Sequence, residues 1–104
     1  MNYLRFQGWV VSISPLRYSP AGVAVCELVL QHDSTVEQAS VPRQLSFETD
    51  AIAMGDTAVL VSSLEIGQLL EIQGFIAPLR KSSSRLILHI QSFQTPNATP
   101  NVLV

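Results

Sequence analysis

Apolar residues recur at every second position along most of this 104-residue chain, in short runs separated by glycine and proline. In the first run, residues 3–10, one face is apolar or glycine and the other is mixed: Leu4, Phe6, Gly8 and Val10 alternate with Tyr3, Arg5, Gln7 and Trp9. Successive side chains of a β-strand point to opposite faces, whereas a helix repeats every 3.6 residues. The alternation therefore predicts a strand with one buried face.

Four further runs of this kind predict strands at residues 23–31, 43–54, 68–77 and 85–94. The run 23–31 is partly apolar on both faces, which is typical of a strand in a closed or packed sheet. Gly74, inside the fourth run, predicts a bulge or a bend. The polar segment 32–42 predicts a hairpin loop, and residues 57–64 leave two possibilities open, a loop or a short helix capped by Thr57.

Five strands, with a short helix or loop between the third and fourth and a glycine in the first and fourth, favour one architecture. They fit an all-β, five-stranded Greek-key barrel of the oligonucleotide-binding (OB) type. An SH3-like barrel and a half-sandwich are the alternatives. The strands place one domain at residues 1–94, and residues 95–104, rich in proline and asparagine, are predicted to form a disordered C-terminal tail.

The charge balance limits how this chain can bind nucleic acid. It has 6 Lys and Arg residues against 8 Asp and Glu residues, a formal net charge of −2. Affinity for nucleic acid comes mainly from phosphates that Lys and Arg neutralise. Any basic face must therefore concentrate these few residues.

Cysteine content and hydropathy indicate the compartment. The single cysteine, Cys26, lies in an apolar run and is predicted to be a small buried side chain. The N-terminal residues MNYLRF lack the pattern of a signal peptide. No apolar run approaches the ~20 residues of a membrane span. These features predict a cytoplasmic protein.

No combination of residues in the sequence predicts catalysis. His32 and His89 are far apart and have no Cys or carboxylate at metal-ligand spacing, and the carboxylates are scattered. The chain also lacks the GxSxG, GxxxxGK[ST] and GxGxxG patterns. We therefore expect no enzyme activity, no metal and no cofactor.

Basic and aromatic residues do coincide in two predicted loops. Arg17 and Tyr18 follow the first strand, and Arg80, Lys81 and Arg85 enclose a serine-rich loop between the fourth and fifth strands. In OB folds these two loops flank the binding face. Single-stranded nucleic acid is held by cations that follow the phosphates and by rings on which bases stack. The pattern predicts such a site, although a merely solvated hairpin tip would have a similar composition.

Several ordered segments resemble a known family: PLRYSPAG at 15–22, CELVLQHDS at 26–34, RQ at 43–44, EIGQ at 65–68, IQGFI at 72–76 and LILHI at 86–90. They are similar to primosomal replication protein N (PriB), a relative of bacterial single-stranded-DNA-binding protein. The similarity extends over about residues 2–94. It implies a homodimeric OB fold that binds single-stranded DNA during replication restart and acts with the helicase PriA, without catalysis or a cofactor.

The resemblance also assigns residues. It implies phosphate contacts for five of them, Arg17, Arg43, Arg80, Lys81 and Arg85, and places Tyr18 where the family often has a basic or aromatic side chain. The chain departs from the family at Asp33, where some relatives have Arg, and at Ser46, where a stacking tryptophan occurs.

Two aromatic residues and the balance of partners leave alternatives open. Strand phase favours a core position for Phe47 over a platform on which a base stacks. Trp9, on the opposite face of its strand from Leu4 and Phe6, could stack on a base or fill a dimer interface. Because basic and aromatic groups are few, a second interpretation is a protein–protein adaptor that recruits replication proteins and hardly contacts DNA.

Overall fold

A computed structural model of the chain describes residues 1–96. It contains six strands and one helix: β1 (Leu4–Ile13), β2 (Arg17–Tyr18), β3 (Ala24–Gln38), β4 (Val41–Met54), α1 (Asp56–Val61), β5 (Leu69–Pro78) and β6 (Leu86–Gln94). The five predicted strands are present, and β2 is an added two-residue strand that pairs with the start of β3. The predicted tail lies, from residue 97 onward, outside the described residues.

The five long strands close into a barrel. The sheet order is β1-β5-β6-β4-β3, and β1 also pairs with β3, so that each long strand has two neighbours. The β4–β6 pair is parallel and the other pairs are antiparallel. The helix lies between β4 and β5. This connectivity is the Greek-key barrel of the OB fold, and the predicted fold class is confirmed.

The barrel interior is filled by the apolar face that the alternation predicts. Alternate residues of β3 are almost fully buried: Ala24, Cys26, Leu28 and Leu30. They pack on two small residues of β4 and on apolar residues of β1, β5 and β6: Ala51, Ala53, Val10, Leu70, Ile72, Leu88 and Ile90. No polar or charged residue is buried among residues 1–96. The core therefore supplies stability and leaves function to the outer surface and the loops.

Cys26 lies inside this core, fully buried, with its thiol 3.5 Å from the carbonyl oxygen of Ser14. Burial raises the pKa of the Cys26 thiol, and the neighbouring Glu27 carboxylate raises it further. Because the thiolate is the reactive form, a raised pKa reduces reactivity at a given pH. We expect the folded protein to react with Ellman's reagent much more slowly at about pH 8 than the protein unfolded in guanidinium. Equal rates in both states would contradict the buried position.

Gly74 lies at the predicted irregularity of the fourth long strand. The β5–β6 register shifts between Gln73 and Gly74, so the pairing is irregular where Gly74 predicts a bulge or a bend, but the additional residue of the bulge, Gln91, lies in β6. A Cβ atom placed on Gly74 would lie 1.8 Å from the carbonyl oxygen of His89, which is backbone and cannot move aside as a flexible side chain can. Only glycine allows β5 to approach β6 this closely, opposite the bulge in β6.

The predicted hairpin loop at residues 32–42 is wrong. The strands β3 and β4 continue through it to a two-residue turn at Ala39 and Ser40, which both have positive φ (55° and 65°). Such turns match the twist of antiparallel strands. Residues 32–47 pair only with each other and form a two-stranded ribbon, called the arm below. Both faces of the arm meet solvent, so residues 32–42 lack the apolar alternation that would have predicted strands there.

The helix settles the ambiguous segment 57–64. It begins at Asp56 after Gly55, whose φ of 71° suits glycine, and Ala58 and Val61 are buried. The predicted cap is wrong: Thr57 lies inside the helix, and its hydroxyl donates a hydrogen bond to the carbonyl of Gln91 at 3.2 Å. None of the described helices has the length and hydropathy to span a membrane.

Candidate nucleic-acid interface

The barrel topology separates the predicted basic loops. Because β1 and β5 are antiparallel, the connection after β1 and the connection after β5 leave the barrel at opposite ends. Arg17 and Tyr18 lie in the first connection. The arm extends from the same end as the β5–β6 loop, since β3 is also antiparallel to β1. Arg43 on the arm therefore shares an end with Arg80 and Lys81, whereas Arg17 does not.

The β5–β6 loop (residues 79–85) is a closed turn. The amide of Leu79 donates to the carbonyl of Arg85 at 2.8 Å, and the amide of Ser83 donates to the carbonyl of Arg80 at 2.9 Å. The Ser83 hydroxyl accepts the Arg85 amide at 2.9 Å. The side chains of Arg80 and Lys81 are exposed, and neither takes part in an ion pair with any of residues 1–96. The tip thus presents two cations to solvent.

The other two loop arginines are neutralised by carboxylates. Arg17 forms an ion pair with Glu27 at 2.6 Å, and Arg85 forms one with Asp50. All four side chains are at least 38% exposed, so each pair is worth at most about 1 kcal/mol. A phosphate could displace either carboxylate, but the net gain would be smaller than at an arginine that has no partner.

Arg43 and Tyr18 complete the predicted set. The Arg43 guanidinium donates to the side-chain oxygen of Gln38 at 2.6 Å across the arm, a neutral contact that leaves its charge available. Tyr18, on β2, has 64% of its surface exposed. Its ring is accessible for stacking at the end of the barrel opposite to the arm.

The outer face of β3 and β4, which OB proteins use for ligands, is acidic in this chain. The register pairs Asp33 with Ser46, Gln31 with Glu48 and Val29 with Asp50, so their side chains share that face. It carries five carboxylates: Glu27, Asp33, Glu37, Glu48 and Asp50. The two departures from the family pattern, Asp33 and Ser46, face each other there.

The prediction that Phe47 is a core residue is wrong, because 43% of it is exposed. Its phase was assigned correctly, since it continues the interior face of β4. However, it pairs with His32, one step beyond the last β1–β3 pair (Trp9 with Gln31), where the barrel wall has ended. No opposite strand covers it.

Phe47 instead belongs to an aromatic cluster with Phe6 and His32. The His32 ring stacks on Phe6 at 4.4 Å and lies 5.1 Å from Phe47, and the two phenylalanine rings are 6.1 Å apart. One His32 ring nitrogen lies 2.6 Å from the carbonyl of Gln7, which joins the arm to β1. The cluster could not be predicted from the sequence, because His32 lies in the segment 32–42 that was predicted as a loop and therefore had no strand phase to share with Phe6 and Phe47.

Trp9 faces outward from β1 and is 38% exposed. Base stacking and a dimer contact both stay predictions for this residue.

A cleft of about 400 Å³ lies elsewhere on the β1-β5-β6 sheet, lined mainly by polar side chains such as Arg5, Gln7, Glu71 and Gln73. Among the described residues, no three His, Cys, Asp or Glu side chains are grouped so that they could hold a metal ion.

Sequence comparison assigns the family. Residues 2–92 match the sequence model of a family described as "Another single-strand binding protein family". The chain is 38% identical over 91 residues to replication restart protein PriB of Bordetella pertussis, covering 88% of this chain and 85% of the relative. It is 34% identical over 90 residues to PriB of Nitrosomonas europaea, covering 86% and 83%. The chain belongs to the PriB family of single-strand-binding proteins. The resemblance expected from the ordered segments is confirmed.

Solved structures agree with this assignment. PriB from Ralstonia solanacearum superposes with a TM-score of 0.85 at 26% identity, covering 93% of this chain and 99% of that chain. The single-stranded-DNA-binding protein from Thermus aquaticus superposes with a TM-score of 0.75 at 17% identity, covering 93% and 50%. At that identity the second likeness concerns the fold alone, and the fold is the OB barrel described above.

Proposed function

We propose that the protein is a non-catalytic, single-stranded-DNA-binding accessory of the replication-restart primosome that stabilises a complex of DNA with the helicase PriA. Membership of the PriB family supports this proposal. The observation that carries it is the β5–β6 loop, which holds Arg80 and Lys81 in solvent without carboxylate partners among residues 1–96. Replication restart takes place on chromosomal DNA, which lies in the cytoplasm in bacteria, and the protein is proposed to work in that compartment.

The six predicted contact residues divide by their surroundings. Arg80, Lys81 and Arg43 carry available charge at one end of the barrel and are proposed as the main phosphate contacts. Arg17 and Arg85 must exchange a carboxylate for a phosphate and contribute less. Tyr18 is proposed to stack on a base, which depends little on salt because the contact is not ionic.

A two-part binding experiment tests this function. Fluorescence anisotropy of labelled oligo-dT and of a matched duplex should show binding of the single strand and much weaker binding of the duplex. Addition of the protein to PriA on a forked DNA should then slow dissociation of PriA. If neither oligo-dT nor the PriA–DNA complex responds to the protein, the proposed function is wrong.

The protein is further proposed to be a two-fold dimer. Tyr3, Trp9 and Val11, exposed by 55%, 38% and 37%, lie on or beside β1. From Leu4 to Gly8, β1 pairs with β5 alone, so no strand lies along its other edge, where the His32 ring contacts the Gln7 carbonyl. An isologous contact covers an apolar strand and its edge in both copies at once. Sedimentation at micromolar concentration should give about twice the 11.4 kDa chain mass, and a stable monomer would remove the dimer.

A protein–protein adaptor is the second candidate function. The acidic outer face of β3 and β4 favours it, because three of its five carboxylates, Asp33, Glu37 and Glu48, form no ion pair with residues 1–96 and repel phosphate. The two functions differ in one result. An adaptor would bind PriA in the absence of DNA and leave oligo-dT free at low salt, whereas the proposed function requires oligo-dT binding.

A further inference from the structure

We propose that Lys81 is an acylation site, at which a small acyl phosphate converts the side-chain amine into an uncharged amide. The site itself rests on the surroundings of Lys81 in the β5–β6 loop. Its consequence, weaker binding of DNA, also rests on the proposed function, because it assumes that the Lys81 charge contacts a phosphate.

Lys81 is the only lysine in the 104 residues, and the five other basic residues are arginines. A guanidinium is not deprotonated in proteins and is a poor nucleophile. A lysine amine can lose its proton, and the free amine attacks carbonyl carbon atoms. Among the residues proposed to hold phosphate, Lys81 is thus the one whose charge an acyl donor can remove. The charge of the loop can therefore be changed at a single atom.

The β5–β6 loop presents this amine to a reagent. Lys81 is exposed, and it takes part in no ion pair with any of residues 1–96. Two backbone hydrogen bonds close the turn on either side of it, from Leu79 to Arg85 at 2.8 Å and from Ser83 to Arg80 at 2.9 Å. The turn therefore keeps the Lys81 side chain in solvent, where a small molecule can approach Nζ.

The charges around Lys81 favour an anionic reagent. Arg80 directly precedes it, is exposed, and has no carboxylate partner among residues 1–96. Residues 79–85 include no carboxylate, and Asp50, which contacts the loop, is paired with Arg85. A guanidinium binds phosphate oxygens strongly. At low salt, one adjacent cation raises the local concentration of an anion by roughly two- to fivefold. Arg80 thus attracts the phosphate of an acyl phosphate towards the amine.

The reaction balances without a cofactor. The unprotonated Nζ of Lys81 attacks the carbonyl carbon of the acyl phosphate, and a C–N bond forms. The bond from that carbon to the bridging oxygen breaks, inorganic phosphate leaves with the electron pair, and a proton of the amine passes to solvent. The amide product has lost the positive charge of the lysine. It cannot make an ionic contact with a DNA phosphate, so acylation weakens DNA binding.

A variant in which the lysine is moved provides the matched control. In Arg5→Lys combined with Lys81→Arg, the only lysine lies on β1, outside the proposed contacts, in the cleft that Glu71 also lines. Both proteins are treated with acetyl phosphate and, separately, with the uncharged reagent p-nitrophenyl acetate. Mass spectrometry after digestion measures acetylation of the lysine apart from that of the N-terminal amine.

The quantity compared is the ratio of the acetyl phosphate rate to the p-nitrophenyl acetate rate, because this ratio cancels the intrinsic reactivity of each amine. At low salt it should be roughly two- to fivefold higher in the wild type than in the variant. The difference should shrink as salt is added, since salt screens the attraction between the loop and the reagent.

Binding of labelled oligo-dT tests the consequence. Acetylated wild-type protein should bind roughly three- to tenfold more weakly than untreated protein near 50 mM salt. Its slope of log affinity against log salt should be flatter by about 0.7, because one phosphate contact is lost. Acetylation of the Arg5→Lys, Lys81→Arg protein should change its affinity much less, relative to its own untreated sample.

Two results would overturn the proposal. One is a rate ratio in the wild type that is no higher than in the variant, since the loop would then not favour acyl phosphates. The other is acetylated wild-type protein that binds oligo-dT with the affinity and slope of untreated protein. Failure of the proposed function is distinct, because the untreated wild-type protein would then leave oligo-dT unbound, while the acetylation rates would still report on the site.

Discussion

Replacing Gly74 with alanine is expected to destabilise the protein more than any other single methyl addition. The new Cβ would lie 1.8 Å from the carbonyl oxygen of His89, so β5 and β6 would have to separate opposite the bulge in β6. Overpacking typically costs about 1–3 kcal/mol, and a clash with rigid backbone belongs at the upper end of that range, about 3 kcal/mol. For a domain of this size the melting temperature should fall by roughly 12–24 °C.

Gly67 provides the matched control. It has a φ of 89° and no heavy atom within 4 Å of the added Cβ position, so Gly67→Ala introduces conformational strain without a clash. Its cost should be about 1–2 kcal/mol. Thermal melts followed by circular dichroism compare the two variants. If Gly74→Ala melts at or above the temperature of Gly67→Ala, the close approach of β5 to His89 is wrong.

Removing both cations from the β5–β6 loop is expected to have the largest effect on DNA binding. With Arg80→Ala and Lys81→Ala combined, two phosphate contacts are lost. Affinity for oligo-dT should fall by more than about tenfold near 50 mM salt, and the slope of log affinity against log salt should flatten by about 1.4. The fold should be unaffected, because both side chains are exposed at a loop tip.

Two comparisons separate a local contact from a general loss of charge. Arg5→Ala removes one cation that lies outside the proposed contacts, and it should weaken binding much less than Lys81→Ala. Arg85→Ala should also have a smaller effect, because this arginine is paired with Asp50. If Arg5→Ala and Lys81→Ala weaken binding equally, the loop makes no specific contact.

The sequence was sufficient to predict the five-stranded barrel. Strands that bury one face must alternate apolar and polar residues, so the residues that pack inside, such as Leu28 and Leu30, were visible in the pattern. Gly74 was identified for a similar reason, since a glycine inside an apolar strand needs a local explanation. The core residues and Gly74 were both predictable because they are buried, and burial restricts which residue types can occupy a position.

The arm and the two ion pairs could not be predicted, because the alternation of apolar and polar residues reports only which strand faces are buried. Both faces of the arm meet solvent, so no burial pattern distinguished residues 32–42 from a loop, whereas residues 43–47 were predicted as part of a strand. Phe47 had the phase of a core residue, but its exposure depends on where β1 stops pairing with β3. The ion pairs of Arg17 with Glu27 and Arg85 with Asp50 follow from strand register, and residues 10 and 35 positions apart give no local signal.

The salt dependence of oligo-dT binding by the wild-type protein tests the central claim most directly. If Arg43, Arg80 and Lys81 are the cations that hold phosphate, log affinity against log salt should have a slope of about −2 per protomer. If Arg17 and Arg85 also left their carboxylates, the slope would be about −3.5. A titration at several salt concentrations from about 50 mM upward should give the shallower slope, about −2. Binding that does not respond to salt, or no binding at the lowest concentration, would contradict the account.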